Sequence, residues 1–301
     1  MRKIILLFLL TFSLSAKSIT PNDVYAQSMI IQDHVHFLLK HYGIKHDHDA
    51  IQKQKISTKL RPRNAWQKAY EILVKINILR DAYGLSRIEP VGMEPVEELN
   101  PEMVYGMTQR ILTELKIFEV RKEILVPKFK LHTYKKKTPL DVYNSFSHIS
   151  ASLNELNQSD LKPADVFAET MRIYDDLSVI LNHLDIKDET IPQKRKENAT
   201  PSDSLKISLV VLNRLAKLQK SVGIKTIDSS AFDKNNATPS DVYTVTGLII
   251  TGLQTIKAHI GLTTVITSPS QIYSKKVPAD IEQLMGWNLR KVSLIKNLDR
   301  R

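Results

Sequence analysis

Cysteine is absent from the 301 residues. That excludes structural disulfides, thiol catalysis and lipid attachment through a cysteine. Glycine is scarce, at nine residues. With so few there is no phosphate-cradling glycine loop, and neither a Gly-x-Ser-x-Gly elbow nor a His-Glu-x-x-His helix occurs. After the first eighteen residues no stretch approaches the ~20 consecutive apolar residues that cross a bilayer. The chain is therefore not expected to be an integral membrane protein, and no catalytic residue or cofactor is implied. It is read as a non-enzyme.

What is present begins with Met1-Arg2-Lys3, an apolar run from Ile4 to Leu14, and Ser15-Ala16-Lys17-Ser18. This order of basic, apolar and small residues predicts a signal peptide over 1–18 and a periplasmic or secreted product. The net charge is +11. Such a balance suits anionic partners such as acidic lipid or polysaccharide. The lysines are dispersed apart from runs at 135–137 and 194–196, so nucleic acid is not the expected partner.

The strongest pattern is a phrase, Thr-Pro-x-Asp-Val-Tyr, at Thr138–Tyr143 and Thr238–Tyr243, with looser copies at Pro21, Pro62, Pro101, Pro163, Pro201 and Pro278. Repeats constrain the fold before any other signal. Threonine caps a helix, proline suits its first position, and aspartate in the first turn faces the positive end of the helix dipole. Counting from each proline, apolar residues recur near +3, +7, +10, +14, +17 and +21. This is the stripe of a bundled helix about 20–22 residues long. Gly43, Gly84, Gly223 and Gly261 each fall 22 residues past their proline, where a left-handed cap ends a helix. The intervening stretches are long for bundle connections and are expected to be ordered, extended arms against the helices.

The proline intervals are 41, 39, 38, 24, 38, 38 and 39 residues. The short one splits eight copies into four and four. Asp23-Val24-Tyr25-Ala26 matches Asp165-Val166-Phe167-Ala168, and Met29, Asp33, His41 and Ile44 match Met171, Asp175, His183 and Ile186. The fold class predicted is all-α: a tandem duplication of a four-helix bundle-like domain, eight long helices joined by long extended loops. The domains are 19–159 and 160–301.

Three features bear on function. The +7 residues are Ser28, Ala69, Thr108 and Phe146, then Thr170, Ser208, Thr246 and Met285. They either share a packed layer, three small residues around one large, or line a ligand cavity. The former needs all helices to bring +7 to one level, which an up-down bundle does not do. The +4 aromatics, including Tyr25, Trp66, Tyr105 and Tyr243, either pack in the core or form a cleft. Candidate ligand contacts are thus Tyr25, Trp66, Tyr105, Thr170, Ser208, Thr246 and Tyr243. Third, His34, His36, His41, His46 and His48 crowd one region. His34, His36, His46 and His48 form a candidate zinc, copper or nickel set, whereas His41, 20 residues past its proline like His183 and His259, reads as a helix-end cap. The leading expectation is a binding or sensory-partner protein recognising a small molecule or another envelope protein. The alternatives are a basic structural protein on anionic envelope components and a metal binder.

Overall fold

The computed structural model describes residues 18–45, 60–88, 99–159, 161–226 and 234–298. The signal-peptide stretch 1–17, and with it most of that expectation, lies outside the described residues. The protein is all-α. Among the described residues are eight helices and no strand: α1 (Pro21–His41), α2 (Pro62–Ala82), α3 (Pro101–Arg121), α4 (Pro139–Asn157), α5 (Pro163–His183), α6 (Pro201–Ser221), α7 (Pro239–His259) and α8 (Pro278–Leu294).

Each helix starts on a motif proline. In seven of them the side chain three residues on reaches back to the amide preceding the proline, as Asp203 does to Thr200 (2.8 Å), Asp241 to Thr238 (2.8 Å) and Asn64 to Arg61 (2.9 Å). This satisfies a donor that the first turn leaves open. In α3 the polarity is reversed, and Asn100 accepts from the Met103 amide.

Helix ends are equally uniform. Gly43, Gly84, Gly223 and Gly261 have φ of +68°, +69°, +75° and +86°. Glu123 and Asp185 occupy the same +22 position at φ +54° and +53°. The next residue is apolar each time, and its amide bonds back to the carbonyl five residues earlier, as Ile44 does to Leu39 and Ile224 to Gln219 (both 2.9 Å). This is the Schellman closure. Among the described residues nothing lies within 4 Å of a Cβ added at Gly223, so Gly223→Ala carries a conformational cost of about 1 kcal/mol. Asp185→Gly should gain up to about 1 kcal/mol for the same reason. Urea unfolding midpoints of the two variants should move in opposite directions.

The helices pack as two rings of four. In the first, α1 touches α3 and α4, and α2 touches α3 and α4. In the second, α5 touches α7 and α8, and α6 touches α7 and α8. The second set repeats the first pair for pair. Residues Val24–Leu156 and Leu161–Leu298 supply separate apolar cores.

Side-chain contacts fix helix direction. Lys137 N–H donates to Asn22 at the starts of α4 and α1, and further along Ser28 meets Ser145 at 2.7 Å. Arg80 and Glu114 pair at 2.8 Å near the ends of α2 and α3, where Tyr83 also meets Phe118. Ser204 reaches the Pro278 carbonyl near the starts of α6 and α8, and Arg214 reaches the Ile295 carbonyl beyond the end of α8. Within each ring the helices run parallel. Their dipoles therefore add at each end of the bundle, and the first-turn carboxylates offset the positive end.

Parallel order explains the long connections, because the start of the next helix lies a full helix length from the end of the last. The α3–α4 arm does so beside α1. Phe129 lies edge-on to His34 at 4.9 Å, and five residues later Tyr134 lies edge-on to Tyr25 at 4.9 Å. Five extended residues cover ~16 Å and the nine helical residues from Tyr25 to His34 cover ~14 Å, so the arm runs nearly straight. The α7–α8 arm descends α5 in the same manner: Thr267 bonds Asp176, Ser268 bonds Arg172, and Tyr273 meets Phe167. Lys137 sits 4.0 Å above Tyr25 and Lys276 sits 4.1 Å above Phe167, which repeats the clasp in both halves.

Because the helices are parallel, their +7 residues do meet at one level. All eight are fully buried. Ser28, Thr108, Thr170, Ser208 and Thr246 donate their hydroxyls to carbonyls of their own helices, and Phe146 or Met285 supplies the bulk. The layer is packed core.

Candidate binding cleft between the bundles

The bundles meet along α2 and α7, which cross antiparallel. A Cβ on Gly247 would touch Gln67, Lys68 donates to Thr244 (3.0 Å), and Lys75 donates to Ser240 (3.3 Å). Both helices must be buried on nearly all sides, on their own bundle and on the other. Sequence supplies this differently in each. In α7, Val242 to Gln254 is apolar, small or amide-bearing and wholly buried. In α2 the buried face carries Lys68, Glu71 and Lys75.

These three form a chain of charge. Lys68 donates to Glu71 at 2.7 Å, Lys75 lies 3.3 Å from the other carboxylate oxygen, and Ser150 donates to that oxygen at 2.5 Å. Burial raises the Glu71 pKa, but the two ammonium groups and the Ser150 hydroxyl outweigh it and hold the carboxyl at about 2. Across the seam Arg172 donates to Glu169 (2.7 Å) and lies 4.8 Å from the Tyr70 ring centroid. Burial pushes the Tyr70 hydroxyl up to about 12. The joint is thus dense in paired, dry charge.

Beside it opens a cleft of about 700 Å³. Its walls come from α2 (Val74, Asn77), the following arm (Arg87, Ile88), the start of α5 (Lys162 to Ala168), Tyr243 of α7 and the arm from Pro269 to Tyr273. Asn77 pins the Arg87–Ile88 wall by bonding both the amide and the carbonyl of Ile88. Arg87 is held by Asp81 at 2.6 Å. Burial raises the Asp165 pKa against the opposing pull of the Lys162 amide and Arg87. Tyr243 is 3% exposed, and its hydroxyl has no hydrogen-bond partner. Burial and the carboxylate of Glu169 raise its pKa well above the ordinary tyrosine value. Its oxygen is closed off from solvent beside Glu169, Tyr70 and Arg172, so a guest in the cleft reaches it only if the wall shifts. The lining offers both charges, amide and hydroxyl groups, and apolar side chains.

Of the residues singled out from sequence, only Tyr243 borders this cleft. Tyr25 is clasped by Tyr134 and Lys137. Trp66 stacks on Tyr70 with centroids 5.9 Å apart, and Tyr105 packs on the first core. Thr170, Ser208 and Thr246 lie in the packed +7 layer. His34 donates from Nδ1 to Glu119 at 2.7 Å, both buried. The matching positions of the second bundle hold Asp176 and Lys257, also buried and 2.7 Å apart, so acid and base have exchanged helices between the copies. His36 is half-buried and sits ~200° round the helix from His34. His46 and His48 lie outside the described residues. Among the described residues no group of three or more His, Asp or Glu side chains is arranged to hold a metal ion. His183, read as a helix-end cap, bonds the Ile260 carbonyl beyond the end of neighbouring α7 (2.9 Å).

Sequence reasoning passed over Arg87, Lys162 and Asp165. One signal was there: lysine precedes Pro163 where threonine precedes the best motif copies. Comparison with family models, curated proteins and solved structures returns no match for this chain.

Proposed function

We propose that the protein is a non-enzymatic binding protein of the periplasm or the extracellular space. Its ligand is a small polar molecule, or a segment of an envelope protein, seated in the cleft between the bundles. The observation that carries this reading is a cleft of about 700 Å³ where Asn77, Arg87, Lys162 and Asp165 converge, with the buried, unpartnered Tyr243 hydroxyl behind its wall. Ligand sites range over roughly 300–1,000 Å³ and combine apolar walls with a few convergent polar groups. The leader-like N-terminus supports the location.

Tyr243→Phe is the diagnostic variant. Removing a hydroxyl that has no partner leaves stability within about 0.5 kcal/mol or raises it slightly. A ligand that uses the hydroxyl loses about tenfold in affinity, the equivalent of one hydrogen bond. A thermal-shift screen of small polar metabolites, followed by titration of any hit against both proteins, reads the two effects separately. Crosslinking in envelope extracts covers the protein-partner branch. Finding neither a stabilising compound nor a crosslinked partner, or finding a hit that binds Tyr243→Phe equally well, overturns the assignment.

A further inference from the structure

We infer that the α3–α4 arm docks the protein onto an anionic lipid surface. From Arg121 to Lys137 the chain carries seven Lys or Arg against one Glu. The net of six positive charges is over half of the +11 on the whole chain. The equivalent arm of the second bundle, 260–277, has only Lys275 and Lys276. The other basic run is neutralised locally, since Arg195 pairs with Asp280 (2.9 Å) and Lys196 with Asp203 (2.8 Å). Among the described residues no carboxylate forms an ion pair with Lys128, Lys130, Lys135 or Lys136. The charge is concentrated on one arm of one copy.

The arm is held in place. Ile124 is buried in the first core, Phe129 and Tyr134 pack on α1, and Lys137 N–H bonds Asn22. The outward set is therefore fixed: Lys128, Lys130, His132, Lys135 and Lys136 are exposed. Interleaved with them, Leu125 is 94% exposed and Leu131 59% exposed, and Val120 at the end of α3 is 75% exposed. Beneath the strip, Asp33 is the acidic group that faces His132.

Single exposed leucines are ordinary. Leucines set among unpaired lysines on a rigid strip are the arrangement that anionic membranes attract. Lysines gain from the surface potential while apolar side chains enter the boundary between headgroups and acyl chains. The preponderance of lysine over arginine fits a diffuse surface potential better than bidentate recognition of one anion. An acidic polysaccharide would use the charge and leave Leu125 and Leu131 without a role.

The experiment is co-sedimentation of the full chain with vesicles of phosphatidylcholine alone and with about 30% phosphatidylglycerol. Binding is expected only to the anionic vesicles and to weaken with salt. Reversing Lys128, Lys130, Lys135 and Lys136 to Glu should cut it by more than about tenfold. Leu125→Ser with Leu131→Ser should cut it several-fold at unchanged charge. The same reversal at exposed Lys206, Lys217, Lys220 and Lys225 of the second bundle is the charge control and should cost far less. Circular dichroism checks that each variant is folded. Equal binding to neutral vesicles, equal loss in the two reversals, or indifference to the leucine changes overturns the proposal. Tight capture of a soluble acidic polysaccharide without vesicle binding also overturns it and assigns the strip to polysaccharide.

Discussion

Glu71→Gln should destabilise the protein by about 3–5 kcal/mol, because it strands two buried ammonium groups. Lys68 and Lys75 are 6% and 1% exposed and share this one carboxylate. The substitution keeps the shape and removes the charge, so the loss is electrostatic. The same carboxyl makes stability pH-dependent. Its pKa falls from 4.5 to about 2 on folding, so the unfolded chain binds the proton more tightly. The stabilisation is complete above pH ~4.5 and is lost as pH falls towards 2. A depression of that size corresponds to about 3 kcal/mol. Urea unfolding at neutral pH and near pH 3 should show wild type losing stability on acidification. Glu71→Gln should lose distinctly less. Parallel pH slopes for the two proteins would place the acid sensitivity elsewhere.

Phe146→Ala should cost a similar amount, about 3–5 kcal/mol, by a different route. Phe146 is the one large side chain in a fully buried layer with Ser28, Ala69 and Thr108. None of those can extend into the space it leaves, and three parallel helices hold the gap open. Refilling the layer from another helix, with Ala69→Leu added to Phe146→Ala, should recover part of the loss. The same Leu alone in the wild-type layer should overpack it and destabilise by about 1–3 kcal/mol. This opposite sign in the two backgrounds, measured by chemical denaturation, distinguishes a shared layer from two unrelated sites. Additivity of the two substitutions would count against a common layer.

How much of this was legible in the sequence follows from the range of each interaction. Helix starts and ends were readable because capping acts over three to five residues: Asp203 reaches Thr200, and the left-handed Gly223 lets Ile224 close on Gln219. The pairing of Asp23–Ala26 with Asp165–Ala168 was readable because both copies solve the same local problem. Helix direction was not. It is decided by arms whose anchors, Phe129 and Tyr134 or Thr267 and Tyr273, are single residues with no periodic signature. The +7 pattern held the clue, since three small residues and one large make a layer only in parallel helices. The cleft was the least readable part. Arg87, Lys162 and Asp165 come from separate segments and look like ordinary loop and cap residues. Only Tyr243 stood out, and for its place in the repeat. The burial of the Lys68–Glu71–Lys75 chain had no sequence signal, because charge at i, i+3 and i+7 says nothing of a second bundle lying over it.

The order in which the helices touch has a kinetic consequence. Neither α1 with α2 nor α3 with α4 lies side by side, although the end caps Tyr42 and Tyr83 touch, and in each ring the middle pair is the one sequential pair that packs along its length. The ring closes through pairs such as His34 with Glu119 and Ser28 with Ser145, 85 and 117 residues apart. Helical bundles usually fold fast because neighbours in the chain are neighbours in space. Here no helical hairpin can form first and template the rest. The protein has the secondary structure of a fast folder and the contact order of a slow one, and its refolding time should resemble that of a β-sandwich.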